Sequence, residues 1–265
     1  MGVERFRKRI FSLKLLTRNS MTTKKKRLDD ILIDKNLVKD KDEAFIVVTE
    51  GRVLVNGQKA VSPAQLVKKN VKIEIRGKNE YVGRGAYKLE EAIRKFKIDL
   101  RGKVCADIGS ATGGFTQILL KYGAKRVYAI DMARGKLDLA IRNNSKVIVM
   151  EETDIRDIKL LPDKIDIFTV DVSLISLRNI LPTLKNLGKK NAEIIALFKP
   201  QYEVEDKFLR HGIVRDENIR KRALQIFLKW VESDWKVKDY IKSPIRGVSG
   251  NIEYLIYLRS QGTID

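Results

Sequence analysis

In Arg27-Leu-Asp-Asp-Ile-Leu-Ile33 the apolar residues Leu28, Ile31 and Leu32 recur at helical spacing, which predicts a short helix with one apolar face. A turn at Lys35-Asn36 follows, and Asp42-Glu-Ala-Phe-Ile-Val-Val48 predicts a second short helix. Gly51-Arg-Val-Leu-Val-Asn-Gly57 reads as a strand that ends in Asn-Gly, a pair able to supply the positive φ of a tight hairpin. Val71-Lys-Ile-Glu-Ile75 alternates apolar and charged residues, as a half-buried strand does. These elements predict a compact α+β module over residues 24–76, joined by a polar, glycine-containing linker over 77–82 to a second domain at 83–260.

Beyond the linker the pattern changes. Val104-Cys-Ala-Asp107, Arg126-Val-Tyr-Ala-Ile-Asp131, Lys146-Val-Ile-Val-Met150, Ile165-Asp-Ile-Phe-Thr-Val-Asp171 and Ile194-Ile-Ala-Leu-Phe198 are apolar runs of strand length. Helix-sized segments separate several of them, among them the stretch around 119–122 and residues 174–186. This alternation predicts an α/β fold, a doubly wound parallel sheet with helices on both faces. Ligands of such sheets bind beyond the carboxyl ends of the strands, where Asp107, Asp131, Asp171 and Lys199 fall.

The loop after the first of these strands is Gly109-Ser-Ala-Thr-Gly-Gly-Phe115. Glycines permit a tight turn and a close approach of backbone to ligand. Ala111 stands where a dinucleotide fingerprint has its second glycine, so a pyrophosphate fits poorly. The amino-acid end of S-adenosylmethionine needs no pyrophosphate cradle. The loop residues Asp107, Gly109, Ser110, Ala111, Gly113, Gly114, Phe115 and Thr116 are therefore candidate cofactor contacts. Asp131, followed by Met132, is placed to accept both ribose hydroxyls, and Asp154 with Ile155 is placed to hold the adenine.

Charge adds a partner to this picture. The 265 residues carry a net charge of +20, and residues 1–80 hold 20 Lys and Arg against 10 Asp and Glu. A polyanion is the natural partner of so basic an N-terminal region. The first 23 residues are basic and weakly amphipathic, lack the apolar run of a secretory signal, and read as a disordered or artefactual leader before Met21 and Lys24. One cysteine excludes an intrachain disulfide or Cys-rich zinc site, and one histidine, His211, excludes a multi-histidine metal site. Acid–base work then falls to Lys, Asp, Glu or Tyr. A reducing compartment, the cytoplasm, is the expected location, with no metal and no stable membrane association, since no apolar run approaches the ~20 residues of a membrane helix.

The shared residues Arg27-Leu-Asp29, Ala44, Gly51, Val53, Val55 and Asn56-Gly57 give the first module a resemblance to the S4-type RNA-binding domain. Val38-Lys-Asp-Lys-Asp42 departs from the Ser-Arg usual in that family before the second helix. The resemblance implies phosphate contacts from Lys24, Lys25, Lys26, Arg27, Lys41 and Arg52. In the second domain, Arg84-Gly-Ala-Tyr-Lys-Leu-Glu90, Asp107–Thr116, Asp171-Val-Ser-Leu-Ile-Ser-Leu177, Phe198-Lys-Pro-Gln-Tyr-Glu203, Gly212-Ile-Val-Arg-Asp216 and Gly250-Asn-Ile-Glu-Tyr-Leu255 resemble the FtsJ-type ribose 2′-O-methyltransferases. Over residues 24–259 the chain is similar to the TlyA (hemolysin A) family of rRNA methyltransferases. It departs from that family at Ala86-Tyr87, where Gly-Leu is commoner, and at His211, which replaces a loop glycine.

The resemblance implies a Rossmann-like S-adenosylmethionine-dependent methyltransferase fold with a mostly parallel seven-stranded sheet. It implies a Lys-Asp-Lys-Glu set at Lys88, Asp171, Lys199 and Glu253, and 2′-O-methylation of ribosomal RNA, with cytidine as the expected nucleotide. A ribose hydroxyl is a weak nucleophile and needs a nearby base; burial beside a second ammonium brings a lysine toward a pKa of ~7–8. Lys199 is the candidate base, Asp171 its orienter, and Lys88 and Glu253 aids to ribose placement. The alternatives are a membrane-active hemolysin, which the absence of an apolar span or secretion signal disfavours, a non-catalytic RNA-binding regulator, and a base methyltransferase, which would not need two lysines.

Overall fold

The computed structural model describes residues 25–77, 80–247 and 249–261, in two compact units divided between Asn79 and Glu80. The expectations for the leader and for Lys24 lie outside the described residues.

The N-terminal unit opens with β1 (Lys25–Arg27), which leads directly into α1 (Leu28–Asp34), and α2 (Lys41–Thr49) follows after a turn. Asp40 starts α2 by accepting the Glu43 N–H at 2.8 Å, while the Glu43 carboxylate returns to the Lys39 N–H at 2.8 Å. Such reciprocal caps satisfy donors that a helix start leaves open. Next come β2 (Val53–Val55), β3 (Gln58–Lys59), β4 (Leu66–Lys68) and β5 (Ile73–Ile75). Asn56 and Gly57 take φ values of 52° and 82°, so the β2–β3 hairpin turns on the Asn-Gly pair. β2 is the centre of the sheet β3–β2–β5, and β1 pairs antiparallel with β4, a two-stranded ladder that no local pattern announced. Leu28, Ile31 and Leu32 pack on Ala44, Val47, Val48 and Val53 in a core of their own.

The second unit begins with α3 (Gly85–Phe96), followed by β6 (Val104–Ile108), α4 (Gly114–Lys121), β7 (Arg126–Ile130), α5 (Leu139–Arg142), β8 (Val147–Met150) and β9 (Ile165–Val170). Then come α6 (Leu181–Leu187), β10 (Gly188–Phe198), α7 (Glu217–Val231), β11 (Trp235–Lys242) and β12 (Tyr254–Ser260). The seven strands form one sheet in the order β11-β12-β10-β9-β6-β7-β8, with β8, β7, β6, β9 and β10 parallel and β12 antiparallel to both its neighbours. Alternate strand residues face opposite layers. Ala106, Phe168, Ala196 and Ile256 pack against α6 and α7, whereas Cys105, Ile167, Ile195 and Leu255 pack against α3 and α4.

Two expectations need correcting. The segment 174–186 is not one helix. Leu174 takes a positive φ of 65°, Ser176 caps a short 3-10 turn at Leu177–Asn179, and α6 starts only at Leu181, with Pro182 in its first turn where a missing N–H costs nothing. The run expected over 194–198 is the end of a strand that begins at Gly188, with an irregularity between Gly188 and Glu193. β11 and β12 were not foreseen as strands. β11 is an edge strand whose exposed Lys236, Lys238 and Lys242 discourage pairing with a further strand.

Candidate active site at the carboxyl ends of the central strands

The chain runs outward from β6 through β7 to β8, then crosses back to lay β9 on the other side of β6, so connections diverge between β6 and β9. A parallel sheet opens a crevice at that point. Here the crevice is a cleft of about 300 Å³, at the small end of the ~300–1,000 Å³ typical of small-molecule sites.

Gly109 begins the loop after β6 with φ of 81°, and a Cβ there would stand 2.4 Å from the Asp171 carbonyl oxygen. Only glycine lets this loop lie against the end of β9. Ala111 also adopts a positive φ, 47°, without being glycine. Its N–H donates to Asp131 Oδ2 at 2.8 Å, and the Ala133 N–H donates to Oδ1 at 2.8 Å, so two backbone amides orient the Asp131 carboxylate at the end of β7. Each oxygen keeps acceptor capacity for a hydroxyl.

Of the predicted cofactor residues, Gly109, Ala111, Asp131, Met132, Asp154 and Ile155 line the cleft, joined by Asp171. Asp154 is not free for an adenine amino group alone. Arg156 Nη2 and Nε lie 2.5 and 3.0 Å from it, and this pairing holds its carboxyl below the usual carboxylate range. The donor set suits S-adenosylmethionine: a fixed carboxylate for vicinal hydroxyls, Ile155, Ile175 and Ile180 for a flat ring, and a backbone edge at Gly109.

The remaining loop residues sit behind the cleft rather than on its wall. Gly113, φ 93°, starts α4 where a Cβ would meet Leu137 at 2.8 Å, and Gly114 lies against the Gly83 and Ala86 backbone, which lets α3 approach α4. Ser110 and Phe115 are buried, and Thr116 is fully so. Asp107 is fully buried on β6, where Oδ2 accepts the Thr116 hydroxyl at 2.7 Å and Oδ1 the Thr169 hydroxyl at 2.9 Å. It ties β6 to β9 and to the start of α4, and so holds the loop's shape.

Burial pushes the Asp107 carboxyl up to about 6, against the pull of its two threonine donors. A folded-state value above the unfolded one means that the native state keeps this proton longer, so the stability from this group falls as pH rises from about 4 to about 6. Asp107→Asn cannot ionise. Its unfolding free energy relative to the parent should therefore climb by on the order of 2 kcal/mol between pH 4.5 and 7.5, on top of a constant offset for the hydrogen bonds the amide loses. Urea titrations at pH 4.5 and 7.5 measure the difference; the same offset at both would refute a buried titrating carboxyl.

The four residues of the expected catalytic set converge beside the cleft. β12 is antiparallel to β10, and Phe198 pairs with Tyr254, so Lys199 just after β10 and Glu253 just before β12 emerge at the same end of the sheet. Lys199 Nζ lies 2.7 Å from Asp171 Oδ1, and Lys88 Nζ from α3 lies 2.7 Å from Glu253 Oε2. Both lysines are only 8% exposed and Glu253 is 2%. Burial works to raise the Asp171 carboxyl, yet the charges of Lys199 and then Lys88 outweigh it and leave the group below its ordinary range. Asp171 thus feels both lysine charges, and the set alternates charge, with both lysines and Glu253 buried and Asp171 half-buried on the cleft wall.

Two further residues belong here that sequence reasoning passed over. Ser173 Oγ accepts from Lys199 Nζ at 2.8 Å. Glu203, after β10, accepts the Ser176 hydroxyl and the Leu177 N–H, both at 2.7 Å, and burial pushes its carboxyl up. It fastens the loop carrying Ser173 and Ile175 to the turn carrying Lys199. Both residues lie within the segments that carry the family resemblance, but nothing in their spacing shows which hydroxyl or carboxylate turns inward. Tyr202 places its ring 5.9 Å from Lys199 Nζ.

In the N-terminal unit the expected RNA contacts fare differently. Lys25 is exposed, Lys26 pairs with Asp34 at 2.5 Å, and Lys41 pairs with Asp30 at 3.3 Å. Arg27 forks onto the buried Asp29; burial pushes that carboxyl up, but the guanidinium more than offsets it. Arg52 is held more tightly. Its side chain is only 14% exposed, its Nε donates to the Arg76 carbonyl at 2.6 Å, Nη2 to the Gly77 carbonyl, and Nη1 pairs with Glu50. These contacts fasten the end of the unit. Among the described residues of both units, no helix is long and apolar enough to cross a membrane.

Comparison with known proteins matches this architecture. The model of the FtsJ-like methyltransferase family covers residues 81–260. A putative rRNA methyltransferase, YqxC, of Bacillus subtilis is 35% identical, over 91% of this chain and 88% of that protein. The 16S/23S rRNA (cytidine-2′-O)-methyltransferase TlyA of Mycobacterium tuberculosis is 35% identical, over 89% of this chain and 90% of its own length. The solved structure of a putative hemolysin from Streptococcus thermophilus superimposes with a TM-score of 0.69 at 32% identity, covering 90% of each chain. A seven-stranded sheet with a cofactor-sized cleft at its switch point, a buried Lys-Asp-Lys-Glu set, and this similarity over nearly the whole length place the chain in the FtsJ-like methyltransferase family, among its TlyA relatives.

Proposed function

We propose that this protein methylates a ribose 2′-hydroxyl of ribosomal RNA, with S-adenosylmethionine as donor and cytidine as the target nucleotide. The observation that carries the reading is the buried alternation Glu253–Lys88, Asp171–Lys199 beside the cleft. A base nitrogen already carries a nucleophilic lone pair; a ribose hydroxyl must shed a proton as it attacks, and a lysine held in place by a carboxylate and a serine can take it once it has itself released a proton to become the neutral amine. Bound S-adenosylmethionine supplies an electrophilic methyl on its sulfonium. Asp131 and the Gly109 backbone would seat that cofactor, Asp171 and Ser173 hold Lys199 in position, and Glu253 fixes Lys88. In-line placement of hydroxyl and methyl is itself worth several orders of magnitude in rate.

The relatives named as rRNA cytidine-2′-O-methyltransferases support the substrate, and the basic N-terminal unit, read as an S4-type module over 24–76, supports docking on structured RNA in the cytoplasm. The reading is tested by incubating 30S and 50S subunits with labelled S-adenosylmethionine and analysing the digested nucleosides by mass spectrometry. Label on the ribose of cytidine is expected; label on a base, or none on either subunit, overturns it.

A further inference from the structure

A second cleft, of about 370 Å³, opens beside the catalytic set and is lined by Val214, Arg215, Arg220, Arg246, Gly250 and Ile252, among others. Its lining contains three arginines and no acidic side chain. Arg220, on α7, is 8% exposed; its Nη1 donates to the carbonyls of Val214 at 2.9 Å and Arg215 at 2.6 Å. Its Nε is buried and finds no hydrogen-bond partner among the described residues. A buried guanidinium with an unmet N–H is costly to keep unless a ligand meets it. The nearest carboxylate on the same helix, Glu217, is paired with Lys221 at 2.8 Å, so it is not held by Arg220.

The cleft is joined to the catalytic centre through the backbone. Ile252 lines it, and the next residue is Glu253. Gly247, one residue beyond Arg246, lies so close to Glu253 that a Cβ there would stand 2.4 Å from Oε1. Arg84, at the start of the helix that carries Lys88, donates from Nη2 to the Arg246 carbonyl at 2.8 Å. An anion held by these arginines is therefore about one residue step from the group that fixes Lys88.

We propose that this cleft takes a phosphodiester of the RNA strand next to the acceptor nucleotide, and that Arg215, Arg220 and Arg246 thereby position the acceptor ribose; the inference rests on the reading of RNA as substrate. Guanidinium groups match phosphate oxygens in pairs, and phosphate contacts set the register of a strand without reading its bases. A grip one phosphate from the reacting ribose fixes the hydroxyl in line, which a grip many nucleotides away does not do.

The test uses the full chain carrying Arg215→Gln with Arg246→Gln, both exposed side chains outside the catalytic set, and a charge-matched control, Lys236→Gln with Lys238→Gln on β11. Binding to ribosomal subunits is followed over a salt series, with methyl transfer and S-adenosylmethionine affinity measured in parallel. The arginine pair should weaken subunit binding about tenfold or more, and flatten the slope of log affinity against log salt by about 0.7–0.9 for each phosphate no longer neutralised. The control pair should do neither, and cofactor affinity should be unchanged in both. Arg220→Lys, which keeps a charge but removes the Nε donor, should raise KM for RNA with the cofactor constant unmoved. Equal salt slopes and affinities for the arginine variant and the control would overturn the proposal. Failure of the parent to label ribose would instead overturn the functional reading, since the salt slope is measured without methyl transfer.

Discussion

Lys199→Ala should slow methyl transfer by roughly 10²–10⁴, the usual worth of a positioned acid–base group, while S-adenosylmethionine still binds. Lys199 Nζ already spends hydrogen bonds on Asp171 Oδ1 at 2.7 Å and on Ser173 Oγ at 2.8 Å. Loss of one proton leaves the amine two N–H donors for those two acceptors and a lone pair, and the lone pair is what takes the 2′-proton. The cofactor cleft is lined by Asp131, Asp154 and Ile155 but not by Lys199, which is why binding and chemistry should separate. Lys199→Arg discriminates between a proton acceptor and a mere positive charge, because a guanidinium does not deprotonate in proteins. Single-turnover assays at saturating cofactor measure both. Near-normal transfer in Lys199→Ala would refute the assignment, and substantial transfer in Lys199→Arg would reduce the residue to an electrostatic role. The same charge favours the ionised form of the half-buried Asp171, so part of the stability present above the carboxylate range should disappear when Lys199 is removed. In the parent it is lost as pH falls through the lowered Asp171 range.

Glu253→Ala should cost the catalytic unit about 3–5 kcal/mol, the penalty for leaving one member of a buried ion pair without the other. Lys88 Nζ and Glu253 Oε2 stand 2.7 Å apart, with side chains 10% and 3% exposed. Gly247 packs directly against its carboxylate. The doubly neutral combination Lys88→Met with Glu253→Gln removes both charges and should regain much of that stability, since a buried pair as a whole contributes little net. It should nonetheless stay inactive, because a cation and a carboxylate are both missing from the ribose side. Urea unfolding of Lys88→Met, Glu253→Gln and the double closes a mutant cycle. A loss below about 1 kcal/mol in Glu253→Ala would mean that the pair behaves as an exposed one.

How much of this could be read from the chain follows from the range of the forces involved. The apolar runs at 104–108, 126–130 and 165–170 announced buried strands because side-chain alternation and burial on both faces are properties of a few consecutive residues. The Asn56-Gly57 hairpin, the glycine at the end of β6 and the carboxylate at the end of β7 were legible for the same reason: a backbone conformation or a strand terminus marks them locally. The family resemblance also named Lys88, Asp171, Lys199 and Glu253. It could not say who pairs with whom, since Lys88 and Glu253 are 165 residues apart. That pairing depends on β12 lying antiparallel to β10.

Tertiary structure alone decided the rest. Arg27 and Arg52 look alike in sequence, two arginines in a basic module, yet Arg27 forks onto Asp29 while Arg52 is turned onto the Arg76 and Gly77 carbonyls. Asp107 and Asp131 both end strands of similar composition, but Asp107 is enclosed between Thr116 and Thr169 while Asp131 opens on the cleft. Arg220 carries no motif and is marked only by its burial beside Arg215 and Arg246. Local pattern sets which elements form, because hydrogen bonding and periodicity act over a few residues. Which charged groups end up buried, paired or facing a ligand is set by desolvation among residues that only the sheet order brings together.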